Sequence, residues 1–107
     1  MGLQYRPLGA VTEILEEIGI EVTYAYEDLV FIKDNQFLLQ FGTVGEILLF
    51  YVNVETDVAE AQQLFAAILP VASAQGFTLM PQGRYQISAG EGGNLSLQFF
   101  NDAPLQL

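Results

Sequence analysis

Residues 46–54 constrain the fold of this chain more than any other segment. They read EILLFYVNV, and both of the side-chain phases that a β-strand would present are apolar. A strand of this kind needs cover on both of its faces, as a central strand of a sheet does. We therefore predict a sheet in which residues 46–54 form the most buried strand.

The residues before this strand predict one helix followed by a meander of strands. Apolar residues recur at helical spacing over residues 11–18, and Gly19 ends the pattern. Residues 20–26 alternate between apolar and polar side chains, as a half-buried strand does. Residues 29–33 and 36–41 are short runs rich in β-branched and aromatic residues, which favour strands.

A second helix and a C-terminal hairpin are predicted after the central strand. Asp57 and Glu60 have the form of a capping box, and apolar residues continue at helical spacing to residue 75. Pro70 removes a backbone donor, so we expect the helix to bend or end there. Residues 77–80, 84–89 and 94–100 are predicted strands, separated by a Pro81-Gln82-Gly83 turn and a Gly90-Glu91-Gly92-Gly93 turn.

The resulting order is α-β-β-β-β-α-β-β-β, which predicts an α+β fold. Two helices pack on an antiparallel sheet made of the meander and the C-terminal hairpin, because the connections look too short for parallel crossovers. A chain of 107 residues is near the commonest size of one domain, so we predict a single domain over residues 1–107. Residues 101–107 contain Pro104 and little periodicity, which indicates a loose tail.

Cysteine and histidine are both absent from the chain. Their absence excludes disulfides, thiolate catalysis, histidine general-base catalysis and the commonest transition-metal ligands. None of the serines, Ser73, Ser88 and Ser96, stands in a nucleophile-elbow pattern. The sequence thus predicts no catalytic residue, no metal site, no cofactor and no enzyme.

The remaining polar clusters have ordinary structural explanations. Glu13, Glu16 and Glu17 lie opposite the apolar side of the first helix, and Glu55, Asp57 and Glu60 suit the positive end of the second helix dipole. The turn residues Asp28, Asp34 and Asn35 match no calcium-loop spacing, and the glycine-rich loop at residues 90–93 leads into a strand and not a helix. An enzyme would need Glu46 or Glu55 beside Arg84 in a closed pocket.

The net charge of −10, from thirteen acidic and three basic residues, bears on the choice of partner. It repels phosphate backbones and anionic lipid surfaces, so we predict no nucleic-acid and no membrane partner. It would attract a basic partner, and it would also serve solubility alone. The longest apolar run, residues 64–72, is too short to span a bilayer, and the first residues lack a signal-peptide pattern, which predicts a cytoplasmic location.

Apolar residues make up 51% of the chain, which is high for a body with so little interior. Where both phases of a strand are apolar, one face is expected under a helix and the other either in the monomer core or against a second molecule. A homodimer would be one way to bury the apolar surface that the interior of one chain cannot hold. The candidate interaction surface predicted from these strands consists of Phe37, Leu39, Leu48, Phe50 and Val52.

The layout resembles the type III secretion chaperone-like superfamily, which includes the YbjN-like bacterial proteins. The resemblance lies in the leading amphipathic helix that ends Leu15-Glu16-Glu17-Ile18-Gly19-Ile20-Glu21-Val22, the meander, the long second helix and the closing hairpin. It implies a non-enzymatic and commonly dimeric protein that offers apolar sheet or helix surface to an extended partner segment. Secretion chaperones usually carry a further carboxy-terminal helix, where this sequence predicts a strand and a tail, so no individual residue role is carried over.

Two functions follow from these observations. The first is a protein-binding or secretion-chaperone-like module that captures a segment of another protein by apolar contact and by β-augmentation at a sheet edge. The second is a structural or regulatory subunit that pairs with itself or with a fixed neighbour. The first predicts an open apolar surface in the purified protein, and the second predicts an obligate assembly.

Overall fold

The computed structural model describes residues 8–26, 28–42, 46–93 and 95–100, and these form two α-helices, six strands and one short 3-10 helix. The predicted tail at residues 101–107 lies outside the described residues. In chain order the elements are α1 (Leu8–Glu17), β1 (Val22–Tyr26), β2 (Leu29–Ile32), β3 (Phe37–Phe41), β4 (Ile47–Asn53), α2 (Val58–Ala74), β5 (Thr78–Ala89), the 3-10 helix (Glu91–Gly93) and β6 (Leu95–Phe100).

The strands form one sheet in the order β1-β2-β3-β4-β5-β6. Strands β1 to β4 are a continuous antiparallel meander, and β5 and β6 are an antiparallel hairpin. The predicted α+β class, the meander and the C-terminal hairpin are therefore confirmed. Strand β4, predicted to be central, has strand neighbours on both sides and is buried at most of its positions.

Two details of the predicted sheet are wrong. Strands β4 and β5 pair in parallel, because α2 itself serves as the crossover that returns the chain to the same end of the sheet. In addition, the two strands predicted over residues 77–80 and 84–89 are one strand, β5, which reduces the strand number to six. The residues predicted as a turn between them are instead the place where the pairing with β4 shifts by one residue.

Both helices end in the same glycine-dependent motif. Gly19 has a φ of 81° and Gly76 a φ of 87°, in the left-handed region that glycine occupies at little cost. Behind α1, the amide of Ile20 donates to the carbonyl of Leu15 at 2.8 Å, and behind α2 the amide of Phe77 donates to that of Ala72 at 2.9 Å. These bonds satisfy carbonyls that would otherwise be orphaned and turn the chain into the next strand.

Helix α2 ends where its apolar spacing predicted, near residue 75, and differs from the prediction at Pro70 and in the bonding of its N-cap. It continues through Pro70 to Ala74 instead of ending early. Asp57 occupies the N-cap position as predicted, but its side chain makes no capping hydrogen bond. The described residues include no helix long and apolar enough to cross a membrane.

The main core lies between one face of the sheet and both helices. Val11, Ile14 and Leu15 of α1 and Ala61, Ile68 and Ala72 of α2 are buried against apolar residues of β2, β3, β4 and β5. Phe50 is at the centre, where its ring stacks on Phe37 at a centroid distance of 5.0 Å and meets Phe65 of α2 edge-on at 5.4 Å. Both helices therefore cover the same face of the sheet.

Candidate functional site

The five side chains predicted to form an interaction surface lie in this main core. Phe37, Leu39, Leu48, Phe50 and Val52 are each no more than 1% exposed, and they share one cluster with residues of both helices. They occupy the side-chain phase of β3 and β4 that points toward the helices. The predicted surface is therefore covered by the chain itself, and any exposed apolar surface must lie elsewhere.

The opposite face of the sheet carries no helix among the described residues, and we call it the helix-free face. Because directly paired residues of neighbouring strands point to the same side, the pairing register shows which side chains belong to it. Its apolar and aromatic members come from all six strands. They are Tyr24, Leu29, Phe31, Leu38, Ile47, Leu49, Tyr51, Met80, Tyr85, Ile87, Leu97 and Phe99.

A bulge in β5 directs apolar side chains of the C-terminal hairpin to the helix-free face. Phe50 pairs with Pro81 and Tyr51 with Gly83, so that Gln82 is the extra residue. A single inserted residue reverses the side to which all later side chains of a strand point. Before the bulge Leu79 packs toward the helices, whereas after it Tyr85, also at an odd position, packs in the opposite cluster.

Aromatic side chains meet across β5 on the helix-free face. The rings of Tyr51 in β4 and Phe99 in β6 have centroids 4.5 Å apart, although β5 lies between their strands. The register places Gly83 opposite Tyr51, and the next residue of β5 on the same face, Tyr85, opposite Phe99. Because glycine contributes no side chain at this point, the two rings can approach each other over it.

Exposure on the helix-free face rises from its centre outward. Leu38 and Tyr85 are fully buried and Tyr51 is 4% exposed, whereas the surrounding apolar residues are half-buried. The two most exposed members are Tyr24 on β1, at 58%, and Met80 on β5, at 44%. Together with the half-buried residues between them, these side chains extend the apolar surface of the face, and a continuous apolar surface is the kind of feature that marks an interaction site.

Three polar side chains on this face, those of Gln40, Asn53 and Tyr85, have hydrogen-bond partners within the chain. Gln40 donates from Nε2 to the carboxylate of Asp28 at 2.9 Å, and Asn53 donates from Nδ2 to the carbonyl of Asn35 at 2.8 Å. The hydroxyl of Tyr85 lies 2.7 Å from Oδ1 and 2.9 Å from the carbonyl oxygen of Asn35. Because Gln40, Asn53 and Tyr85 already have partners inside the chain, apolar contact is the main means of recognition that this face offers.

Burial also changes the acidity of Tyr85. Desolvation raises the pKa of its hydroxyl from 10.0 to about 12, and the hydrogen bond with Asn53 opposes this effect in part. The group is thus neutral at physiological pH. The hydroxyl lies between the β2–β3 turn and the end of β4, so its role is to link these two segments by hydrogen bonds and not to act as an acid or a base.

A signal in the sequence distinguishes the two apolar phases of the central strands. The phase that faces the helices contains no polar residue in β3 or β4, whereas the other phase contains Gln40 and Asn53. A polar residue within an otherwise apolar phase marks the less deeply covered face. With that criterion, Leu49 and Tyr51 would have been selected as surface candidates in place of Leu48 and Phe50.

The two carboxylate clusters predicted from the sequence lie at the surface of the described chain. Glu13, Glu16 and Glu17 are exposed on the outer side of α1, and Glu55, Asp57 and Glu60 are exposed around the start of α2. Within the described ranges, no group of three or more metal-ligating side chains forms a potential metal site. These placements agree with the solvated and helix-terminal roles expected from the sequence.

A small open hollow lies between the end of α1 and the β2–β3 turn. It has a volume of about 240 Å³ and is lined by residues 19–21, 32–34 and 36. Its charged groups are those of Glu21, Lys33 and Asp34, and Lys33 and Asp34 are exposed turn residues. The hollow is shallow and polar, and it lacks the apolar lining of a typical small-molecule pocket.

Comparison with known proteins gives no relative for this chain. No protein-family model matches it, and neither does any curated protein or solved structure. The helix-free face is consequently the feature on which a functional assignment rests.

Proposed function

We propose that this chain is a non-enzymatic protein-binding module whose helix-free face holds an extended, apolar segment of a partner protein. The observation that carries the proposal is the continuity of that face. It is apolar across six strands, ends in the exposed side chains of Tyr24 and Met80, and has no helical cover within the described residues.

The chemistry of the face selects the kind of segment. It has no charged side chain among its members, and Gln40, Asn53 and Tyr85 already have hydrogen-bond partners inside the chain. A partner with buried polar groups would leave them unpaired at an energetic cost. A segment that presents apolar side chains at alternate positions matches the face best.

Charge favours basic residues on either side of that segment. The chain has thirteen acidic against three basic residues, and Asp28 and Glu46 directly precede strands that contribute to the face. Opposite charges around an apolar contact speed association and select among partners. The partner is accordingly an apolar segment flanked by lysine or arginine.

Two short synthetic peptides test this proposal. They share one alternating apolar sequence and differ only in lysine or glutamate flanks, and their binding is measured by fluorescence anisotropy. We expect the lysine-flanked peptide to bind more tightly, and Met80→Gln to weaken its binding by about tenfold. The matched control is Leu69→Gln, since Leu69 is similarly exposed, at 38%, but belongs to α2.

Each result bears on the proposal. Equal weakening by Met80→Gln and Leu69→Gln, or no binding of either peptide, would overturn it. Equal binding of the two peptides would retain the apolar face and remove the preference for a basic partner.

The chaperone-like role is a narrower form of the same proposal, in which the bound segment belongs to a client that is kept from aggregating. The likeness of layout to the type III secretion chaperone-like superfamily supports it. A cytoplasmic location is part of this form, and fractionation of cells that produce the chain would test it. The alternative role, as a self-associating subunit, is favoured by a separate feature at the edge of the sheet.

A further inference from the structure

Strand β6 is an edge strand without the usual protection against pairing. It is the last strand of the sheet and pairs only with β5 within the described part of the chain, in a ladder without register shifts. Its sequence, LSLQFF, contains no charged residue, no proline and no glycine. A row of free backbone donors and acceptors on such a strand is a template for another strand.

The opposite edge of the sheet is protected in three ways. Strand β1 is only five residues long, its pairing with β2 shifts between Val22 and Tyr24, and Glu21 stands immediately before it. Short length, a bulge and a nearby charge are the devices by which proteins prevent edge-to-edge association. Over its described residues, Leu95–Phe100, strand β6 has neither a bulge nor a charge, so we infer that β6 is the edge better suited to association.

Charge identifies a second copy of this chain as a suitable occupant of that edge. Two copies with a net charge of −10 repel each other, so a stable contact has to avoid the acidic side chains. Neither β6 nor the segment of β5 that pairs with it, residues 84–89, carries an acidic residue. The only charged residue in this hairpin ladder is Arg84, which is half-buried.

We propose that two copies of the chain pair antiparallel through β6 and form one continuous twelve-stranded sheet. The twofold axis passes between Gln98 and Gln98 of the second copy, which places Leu97 opposite Phe99 of that copy. This register keeps apolar residues opposite apolar residues on the helix-free side. The helix-free faces of both copies then lie on the same side of the joined sheet, which doubles the area of that face.

The proposal concerns self-assembly and does not depend on the capture of a partner segment. Because the chain contains no cysteine, one introduced thiol reports the proposed register directly. Gln98→Cys should form an intermolecular disulfide under mild oxidation, since the two residues face each other across the axis. Gln86→Cys is the matched control, because Gln86 is also exposed and pairs with Gln98 but lies one strand further from the axis.

A charge at the axis provides the second test. Gln98→Lys puts two like charges opposite each other, and we expect it to raise the dimer dissociation constant in sedimentation equilibrium by at least about tenfold. Gln86→Lys changes the net charge by the same amount and should leave the constant within about twofold.

Three results would overturn the proposal. They are a wild-type chain that stays monomeric over the whole concentration range, equal cross-linking of the two cysteine variants, and a dimer that Gln98→Lys leaves intact. The last result would place the dimer contact on another surface. None of these measurements uses the peptides, so failure here is distinguishable from failure of the proposed binding function.

Discussion

Replacing Tyr85 with phenylalanine removes one oxygen atom from the interior and leaves the ring in place. That oxygen lies within hydrogen-bond distance of both oxygen atoms of Asn35, and the residue is fully buried. The substitution removes one hydrogen bond to the half-buried Asn35, whose carbonyl still accepts from Asn53, and a single hydrogen bond of this kind contributes about 0.5 to 1.5 kcal/mol. We therefore expect Tyr85→Phe to lower the free energy of unfolding at pH 7 by that amount.

The same substitution should be much less harmful at high pH. The pKa of Tyr85 is about 12 in the folded chain against 10.0 for the ordinary group, so the unfolded chain releases this proton first. The contribution of Tyr85 to stability is fully present below pH 10 and is lost as the pH rises toward 12. Each pH unit in this window costs the wild-type chain up to about 1.4 kcal/mol through this group, and the phenylalanine variant escapes that loss.

Urea unfolding at pH 7 and pH 11 measures both effects. The difference in stability between wild type and Tyr85→Phe should shrink by about 1 kcal/mol between the two pH values. Gln86→Ala is the control, since Gln86 is exposed on the hairpin and has no titrating group, so its variant should follow the wild type at both pH values. A difference that is the same at pH 7 and pH 11 would refute the assignment of a raised pKa to Tyr85.

Two further predictions concern stability. Asn53→Ala should lower the free energy of unfolding in urea by about 1 to 3 kcal/mol, because Asn53 is buried and is hydrogen-bonded to both the carbonyl of Asn35 and the amide of Glu55. The control Gln86→Ala, on the exposed side of the hairpin, should stay within about 0.5 kcal/mol of wild type. Equal effects of the two substitutions would contradict a stabilising role for the hydrogen bonds of Asn53. Gly19→Ala and Gly76→Ala should each lower the free energy of unfolding by about 1 kcal/mol, since both positions have positive φ and no atom lies within 4 Å of an added Cβ. Gly9→Ala, within α1, should instead raise it by about 0.5 to 1 kcal/mol. Thermal unfolding in which all three variants changed the stability in the same direction would contradict this reasoning.

Local patterns predicted the elements of this fold well, because each depends on signals within a few residues. The helical spacing before Gly19 predicted α1, and the alternation of short apolar runs predicted the meander and the closing hairpin. The error at residues 81–83 has a physical cause. Proline followed by glycine is a strong turn signal, yet the same residues also suit a bulge on a strand that continues.

Tertiary arrangement explains what the patterns missed. Whether α2 returns the chain parallel or antiparallel depends on where β5 finds a partner, which local spacing does not encode. The candidate surface was placed on the wrong side of β4 for a similar reason, since Phe50 and Tyr51 are both large and apolar and only the position of the helices separates them. Among the residues of the helix-free face, Gln40 and Asn53 are the two whose polarity in the sequence distinguishes that face from the one under the helices.

The strand order also determines where the entropy of chain closure is lost during folding. All five ladders join strands that are consecutive in the chain, and four of them close over a short connection. The ladder between β4 and β5 is different, because Ile47 pairs with Thr78 across the whole of α2. Closing a long flexible loop costs more than closing a short one, and a formed helix reduces the length of chain that remains flexible. We therefore expect an early-formed α2 to shorten the flexible chain between β4 and β5 during folding, in addition to covering the core.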